Sequence, residues 1–310
     1  MRPRSRSSQA VARSLAPHKG YEILSRWADR FRHSSVAEEI RSILISTPSH
    51  PAYSSFDTLP AEPYEVLGHA GAFYVFTSNV DGHHYDWFRP EELRECHGNV
   101  ELYQCSFGRA RCGSGLWRAP LEWRFQVDAE LRAYAGAATE PPKAPTSGRH
   151  VGAVAGAPRA AALRHMPPAQ TPQALLDRSF SDNHVRCARC RGPARPAVLM
   201  FGEWGDKDWL DSQAQAGRWK SYLQALGQVV TSRPGLRCVL LELGAGLRVP
   251  TVRETSEQIL ELLLQGGAQA QLVRVNPQHP EADDSDLAPH VLSLKGTALE
   301  CLSAMDAMMR

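Results

Sequence analysis

The stretch that decides the fold is 238-CVLLELGAG-246. Five of the six residues from Cys238 to Leu243 are apolar and the run stops at a glycine, the pattern of a parallel strand buried on both faces. Toward the C-terminus, residues 253–264 carry Ile259, Leu260, Leu262 and Leu263 on a helical pattern that stops at Gly266-Gly267. Strands follow at 271–275 and near 291–294, then a helix from about 297 to 309. Strand, helix, strand, strand, helix with short connections is a piece of a doubly wound, Rossmann-like α/β sheet.

Toward the N-terminus the pattern is less regular. Residues 19–31 place Tyr21, Ile23, Leu24, Trp27 and Phe31 on one helical face, and a short helix is expected at 37–44. A turn-rich connector, STPSHPAYSSFDTLPAEP, leads to an apolar strand at 73–76. Residues from about 134 to 171 are rich in Ala, Pro, Gly and Arg without apolar periodicity, which predicts a flexible insertion. Its GRHVGAVAG follows no strand and is not read as a phosphate loop.

With 310 residues, 43% of them hydrophobic, the chain can bury a core of about two domains. Thirty-five Lys and Arg against 33 Asp and Glu provide no electrostatic case for a nucleic-acid partner. No apolar run is long enough to span a bilayer, so an intracellular soluble protein is expected. The first nineteen residues hold four Arg, four Ser and no acid, the bias of an organelle transit peptide or of a disordered basic tail.

Three groups of residues carry chemistry. The strand at 73–76 ends in 77-TSNVDGHH-84, which puts Asn79 and Asp81 at a carboxyl tip, where α/β sheets bind ligands. Gly244-Ala245-Gly246 is the second such tip. Its small residues allow backbone N–H groups to approach a phosphate, or simply make a tight packing turn. One strand further on, Asn276 stands where dinucleotide folds usually carry an acid for a ribose hydroxyl. Among seven cysteines, Cys187 and Cys190 form a C-x2-C knuckle and Cys105 and Cys112 a wider pair. Four such thiolates make a closed structural zinc site; the alternative is that the wider pair are ordinary buried thiols. His97, followed by Gly98, is either a general base or a structural imidazole.

Taken in order, TSNVDG, ECHGN, the two cysteine pairs, RPAVLMFGEW, LGAGLRVPT, RVNP and LKGTALE resemble the motif series of the sirtuins, NAD-dependent protein deacylases. The resemblance runs from about His18 to the C-terminus and is closest to a bacterial-type branch in which GAG-x-x-x-P-T replaces the usual Gly-Thr-Ser turn. It implies that Asn79 holds the nicotinamide ribose, with Ser78 on the cofactor side in place of the family's usual glutamine or similar side chain, that Asp81 binds the carboxamide, and that His97 is the base acting on a ribose hydroxyl. It further implies that Gly244, Ala245 and Gly246 meet the phosphates of NAD, with Asn276, Lys295 and Gly296 at its adenosine end. Val198, Phe201, Gly202 and Glu203 would pair with an acyl-lysine protein or peptide, and Cys105, Cys112, Cys187 and Cys190 would hold a structural zinc.

The domains then expected are a disordered tail at 1–17, a Rossmann-like NAD-binding domain from 18–98 and 196–310, and a zinc lobe at 99–195. The family's first strand, its Gly-Ala-Gly-Ile-Ser loop and its Asp-Phe-Arg have no counterpart before His18, and losing that strand exposes a sheet edge. This departure keeps a second reading open: a catalytically inactive binding module with the same lobe and groove. Protein ADP-ribosylation, a third, would use the same pocket.

Overall fold

The computed structural model describes residues 4–6, 17–47, 65–118, 124–126, 185–203 and 209–309. It is a mixed α/β protein with parallel sheets. The Ala/Pro-rich segment at 134–171 and Trp204, which ends one of the sirtuin-like motifs, lie outside the described residues.

The C-terminal unit follows the expected order. Strands β8 (Arg237–Leu243), β9 (Gln269–Val275) and β10 (Val291–Leu294) form a parallel sheet, in register from Arg237↔Gln269 to Leu243↔Val275 and from Val291↔Leu272 to Leu294↔Val275. Helix α5 (Thr251–Gln265) connects β8 to β9, and helix α6 (Ala298–Met309) closes the chain. Leu260, Leu263, Ala268, Ala270 and Leu272 form the core between α5 and the sheet. One expectation is corrected. Strand β8 is not buried on both faces: Val239 is 71% exposed, Arg237 is also exposed, and among the described residues β8 pairs with β9 alone. An edge strand leaves one side of its ladder and part of one face to solvent, whatever its apolar content.

A second parallel pair, β2 (Val75–Thr77) with β3 (Leu93–Glu95), carries the other polar tip. Helix α4 (Gln213–Ser232), 20 residues long and not anticipated from the sequence, packs against both units. Its Val230 joins the core of the β8–β10 sheet, while Tyr222, Ala225 and Val229 pack with Ile40, Ala70 and Tyr74; Leu226 touches both groups. The Tyr74 and Tyr222 rings lie 4.4 Å apart, so the segment entering β2 rests directly on α4. Ser212 starts this helix, its hydroxyl accepting from Gln215 N at 3.2 Å.

Helix α1 (Gly20–Arg32) and helix α2 (Ser35–Ser46) occupy the positions read from periodicity. α1 is tied to α6 by Arg26 and Trp27, both bonded to the buried carboxylate of Asp306 at 2.9 and 3.1 Å. α2 lies on α4 through Ile40.

The cysteine lobe is antiparallel. Strand β4 (Gly98–Cys105) pairs with β5 (Trp117–Arg118) and with β7 (Ala194–Val198), across a register irregularity between Asn99 and Tyr103. Helix α3 (Gly108–Cys112) follows β4. The first seventeen residues, expected to form a disordered tail, contain strand β1 (Arg4–Arg6), which pairs antiparallel with β6 (Arg124–Gln126).

Candidate functional site

Four cysteines converge. Cys105 ends β4, Cys112 ends α3, and Cys187 and Cys190 sit in the turn before β7; their Sγ atoms all lie within 4.8 Å of one another. Cys105 to Cys190 is 3.5 Å and Cys112 to Cys187 is 3.6 Å. Thiolates about 2.3 Å from one tetrahedral ion stand about 3.8 Å apart, so this donor set fits a metal ion. The turn itself is shaped for the task. Arg191 N donates to Cys187 O at 2.9 Å, and Arg191 takes a positive φ of 63°, a left-handed conformation that turns the chain back toward β7. The neighbouring Cys105 thiol lowers the Cys187 pKa below the usual thiol range. Burial and the neighbouring Cys190 push the Cys112 thiol up.

The polar tip of β2 lies beside the turn that carries His97. Cys96 N donates to Thr77 O at 2.9 Å and Val100 N to Val80 O at 2.8 Å, so 77–80 and 96–100 run together. Within this pair the side chains divide into two groups. Asp81 Oδ1 caps His83 N at 3.0 Å, and Asp81 acts electrostatically on Tyr21, His84 and Glu95. Gly82, at φ 78°, turns the chain there; a Cβ would come within 3.2 Å of Asn99 Oδ1. Glu95 is buried and accepts from Asn99 Nδ2 at 2.8 Å. Burial raises its pKa to about 8 against the Asn99 and Gln215 hydrogen bonds, and the negative charges of Glu101 and Asp81 add to the rise. Glu101, fully buried, is paired with Arg118 at 2.9 Å. His84 is likewise buried, and burial lowers its pKa to about 4.

The second group surrounds His97. Burial, then the neighbouring guanidinium of Arg94, lower the His97 pKa, leaving a neutral ring near pH 7. Arg94 is held by Asp211 through two bonds of 2.6 and 2.5 Å. His97 O accepts from Leu199 N at 2.9 Å, so the exit of β7 begins at this residue. Gly98 (φ 81°) has no room for a side chain: a Cβ would sit 1.9 Å from Ala197 O. After Val198 the chain makes a built turn. Glu203 N donates to Met200 O, Met200 N to the Glu203 carboxylate, and Arg195 pairs with Glu203 at 2.9 Å. This turn, with Gly202 at φ 83°, pushes Met200 and Phe201 into solvent, Phe201 to 92% exposure. Asn79 and Asp81 thus share their tip with Tyr21, His84 and Glu95, whereas His97 shares its surroundings with Arg94 and the Val198–Glu203 turn. Ser78, in the first of these segments, is half-buried.

The third tip lies at the ends of β8 and β9. A Cβ built on Gly244 or Gly246 meets nothing within 4 Å, so this backbone is open to an approaching group. Helix α5 begins after Pro250 with no side-chain cap, and its first N–H groups favour an anion. Asn276 is largely committed to the turn: its Nδ2 donates to Ala245 O at 2.8 Å and its Oδ1 accepts from Gln278 N and His279 N, both at 2.9 Å. Beneath them is a buried charge network. Arg274, wholly buried, reaches Glu242 at 2.7 Å, Glu257 at 3.0 Å and Asp283 at 3.3 Å. Arg253 reaches Asp283 at 2.7 Å and the carbonyls of His279 and Glu281 at 2.8 and 3.0 Å. The Arg253 bond, then the charges of both arginines, hold the Asp283 carboxyl below its usual range. Lys295 and Gly296 follow β10; a Cβ on Gly296 would lie 2.8 Å from Cys301 Sγ.

Tyr21, Glu95, Asn99, Glu101 and the Arg253–Arg274 network were not singled out by sequence reading. Only the polar residues within GNVELYQC, in a stretch of otherwise strand-like letters, hinted at buried pairing. No protein-family model and no curated protein sequence matches the chain. No helix among the described residues is long and apolar enough to cross a membrane.

Proposed function

We propose that the chain is a sirtuin-type, NAD-dependent protein-lysine deacylase, a Rossmann-like doubly wound fold stapled to a zinc lobe. The observation that carries this reading is the adjacency of three segments: the β2 tip beside the His97 turn, and the His97 carbonyl bonded to Leu199 at the mouth of an exposed apolar turn. An acyl-lysine peptide docked on Val198–Glu203 would present its side chain toward a neutral imidazole able to take a proton. NAD, when bound, would supply an anomeric sugar carbon open to attack by the acyl oxygen, with nicotinamide as the leaving group. Ser78, Asn79 and Asp81 would hold its nicotinamide end, Gly244, Ala245 and Gly246 its phosphates, and Asn276, Lys295 and Gly296 its adenosine. The four-thiolate cluster, with sulfur spacings suited to a tetrahedral ion, is assigned to zinc with a structural role.

The test is incubation with an acetyl-lysine peptide and NAD, following nicotinamide release and loss of the acetyl group together. His97→Ala should cut the rate about 10²- to 10⁴-fold, the usual worth of a positioned base. An unaltered rate in that variant removes the role given to His97, and no NAD-dependent loss of acetyl by the parent protein removes the enzyme. One observation favours a second reading, an inactive peptide-binding module: the Asn276 side chain is already occupied by the loop around it. Calorimetric titration with NAD separates the two, heat of binding favouring the enzyme and its absence the module.

A further inference from the structure

The cysteine lobe gathers arginine. Its stretches 105–118 and 185–198 contain seven arginines and no lysine, aspartate or glutamate. Four of the seven adjoin the converging cysteines: Arg111 precedes Cys112, Arg186 precedes Cys187, and Arg189 and Arg191 flank Cys190. Because the four sulfurs lie within 4.8 Å of one another, these arginines spring from one small area of backbone. Contacts across that area agree. Arg186 Nη1 donates to Arg191 O at 2.6 Å, and Arg189 lies over the Cys112–Gly113 turn, where a Cβ on Gly113 would come within 2.6 Å of its Nη1. Arg111, Arg189 and Arg191 are exposed and have no ion-pair partner among the described residues.

This charge is not consumed inside the lobe. Arg118 is paired with Glu101 and Arg195 with Glu203. A divalent ion held by four thiolates carries two net negative charges, which offset two more arginines. Of the seven positive charges an excess of three remains, so the near-balance of the whole chain does not hold on this face. What else the face shows decides the kind of anion. None of the exposed large apolar side chains lies in 105–118 or 185–198; Met200 and Phe201 belong to the turn beyond β7. A protein partner needs an apolar centre to its interface, whereas a nucleic-acid backbone is met by a polar, positively charged surface. Arginine in place of lysine suits phosphate, whose oxygens its planar fork can take two at a time. We propose that the arginine face of the cysteine lobe binds nucleic acid through the phosphate backbone, without reading sequence. The proposal uses neither the β2 tip nor His97 and so stands apart from the deacylase reading. In a deacylase this face would hold the enzyme beside proteins that themselves coat nucleic acid.

The experiment follows the fluorescence anisotropy of a labelled oligothymidylate, about twenty nucleotides long, as the full chain is added at several salt concentrations. Three phosphate contacts give a slope of about −2 in log affinity against log salt, so affinity should fall about 20-fold between roughly 50 and 200 mM. Arg111→Gln with Arg189→Gln and Arg191→Asn should remove most of that slope, asparagine being chosen for the left-handed backbone of residue 191 (φ 63°). Arg30→Gln with Lys220→Gln and Arg237→Gln, three exposed cations elsewhere, should leave the slope in place. If the first variant fails to fold, hydrogen exchange on the parent decides: the oligonucleotide should protect 105–118 and 185–198 and leave 237–243 unchanged. Equal losses in the two variants make the binding a matter of net charge and overturn the face, as does protection elsewhere alone. Tighter binding of polyglutamate than of the oligonucleotide assigns the face to an acidic protein and overturns the proposal. Absence of salt-sensitive binding by the parent removes it altogether.

Discussion

The β8–β10 unit and the cysteine lobe reach order by opposite routes. The first is built from consecutive segments, 237–309, around an apolar core and a buried charge network. The second joins 98–118 to 185–198, and its small clusters, Tyr103 with Val185 and Ala194, and the cysteines with Phe107 and Trp117, bury little. A sheet whose strands are neighbours in sequence needs no further tie. A lobe that must close a long excursion with so little core needs one, and four thiols stand where such a tie would be.

The sharpest way to break this contrast is to remove the tie. Cys187→Ser, or chelation, should release about one zinc per chain and abolish amide protection in 98–118 and 185–198, because structural zinc supplies on the order of 10 kcal/mol to such modules. Hydrogen exchange should find 237–243 and 269–275 still protected. A lobe that stays protected in metal-free protein would show that its cores suffice.

The converse change strikes the other unit. Arg274→Met leaves Glu257 buried without its paired cation and Glu242 with only Arg253, 3.8 Å away, and should cost about 3–5 kcal/mol in chemical denaturation. Arg274→Met with Glu242→Met should recover part of that loss; if it recovers none, the network holds the loop at 276–283 and not the charge alone.

The smallest effect sharpens the comparison at the seam. Glu95 binds its proton more tightly in the folded protein (pKa about 8) than in the unfolded chain, where an ordinary value near 4.5 applies. Between these values the folded state carries the extra proton, so stability falls as pH rises through the window. The fall is on the order of 2 kcal/mol once the buried site relaxes, and Glu95→Gln should flatten it. A slope unchanged by that substitution would mean that the carboxyl is ionised at neutral pH.

Legibility in the sequence followed locality. α5, β9, β10 and α6 were read within about two residues because their periodicity and the Gly266-Gly267 stop are contained within each segment. Helix α4 was missed: Trp219, Tyr222, Leu223, Leu226, Val229 and Val230 do recur at helical spacing, but Gln213, Gln215, Gly217, Gln224, Gly227 and Gln228 dilute the stripe. The exposure of Val239 depends on which strand lies beside β8, which its own letters do not state. β4 was unread because its buried Asn99, Glu101 and Gln104 break the apolar pattern of a strand, and two of their partners, Arg118 for Glu101 and the Leu210 N–H for Gln104, lie far along the chain. At the candidate site, the cysteines and the Asn79–Asp81 tip were visible as letters. Tyr21 was visible only as one apolar position of a helix, since its meeting with His84 is a property of the packed fold.

Helix α4 also sets a timetable for synthesis. β2, β3 and helix α2 find their packing partner in residues 213–232, and β4 finds β7 only at 194–198. More than two-thirds of the chain must therefore leave the ribosome before Ile40, Ala70 and Tyr74 meet the helix that covers them. During that interval Ile40, Tyr74 and their neighbours are uncovered, so yield in a cell should depend on elongation rate and on holdase chaperones well before the stability of the finished molecule matters.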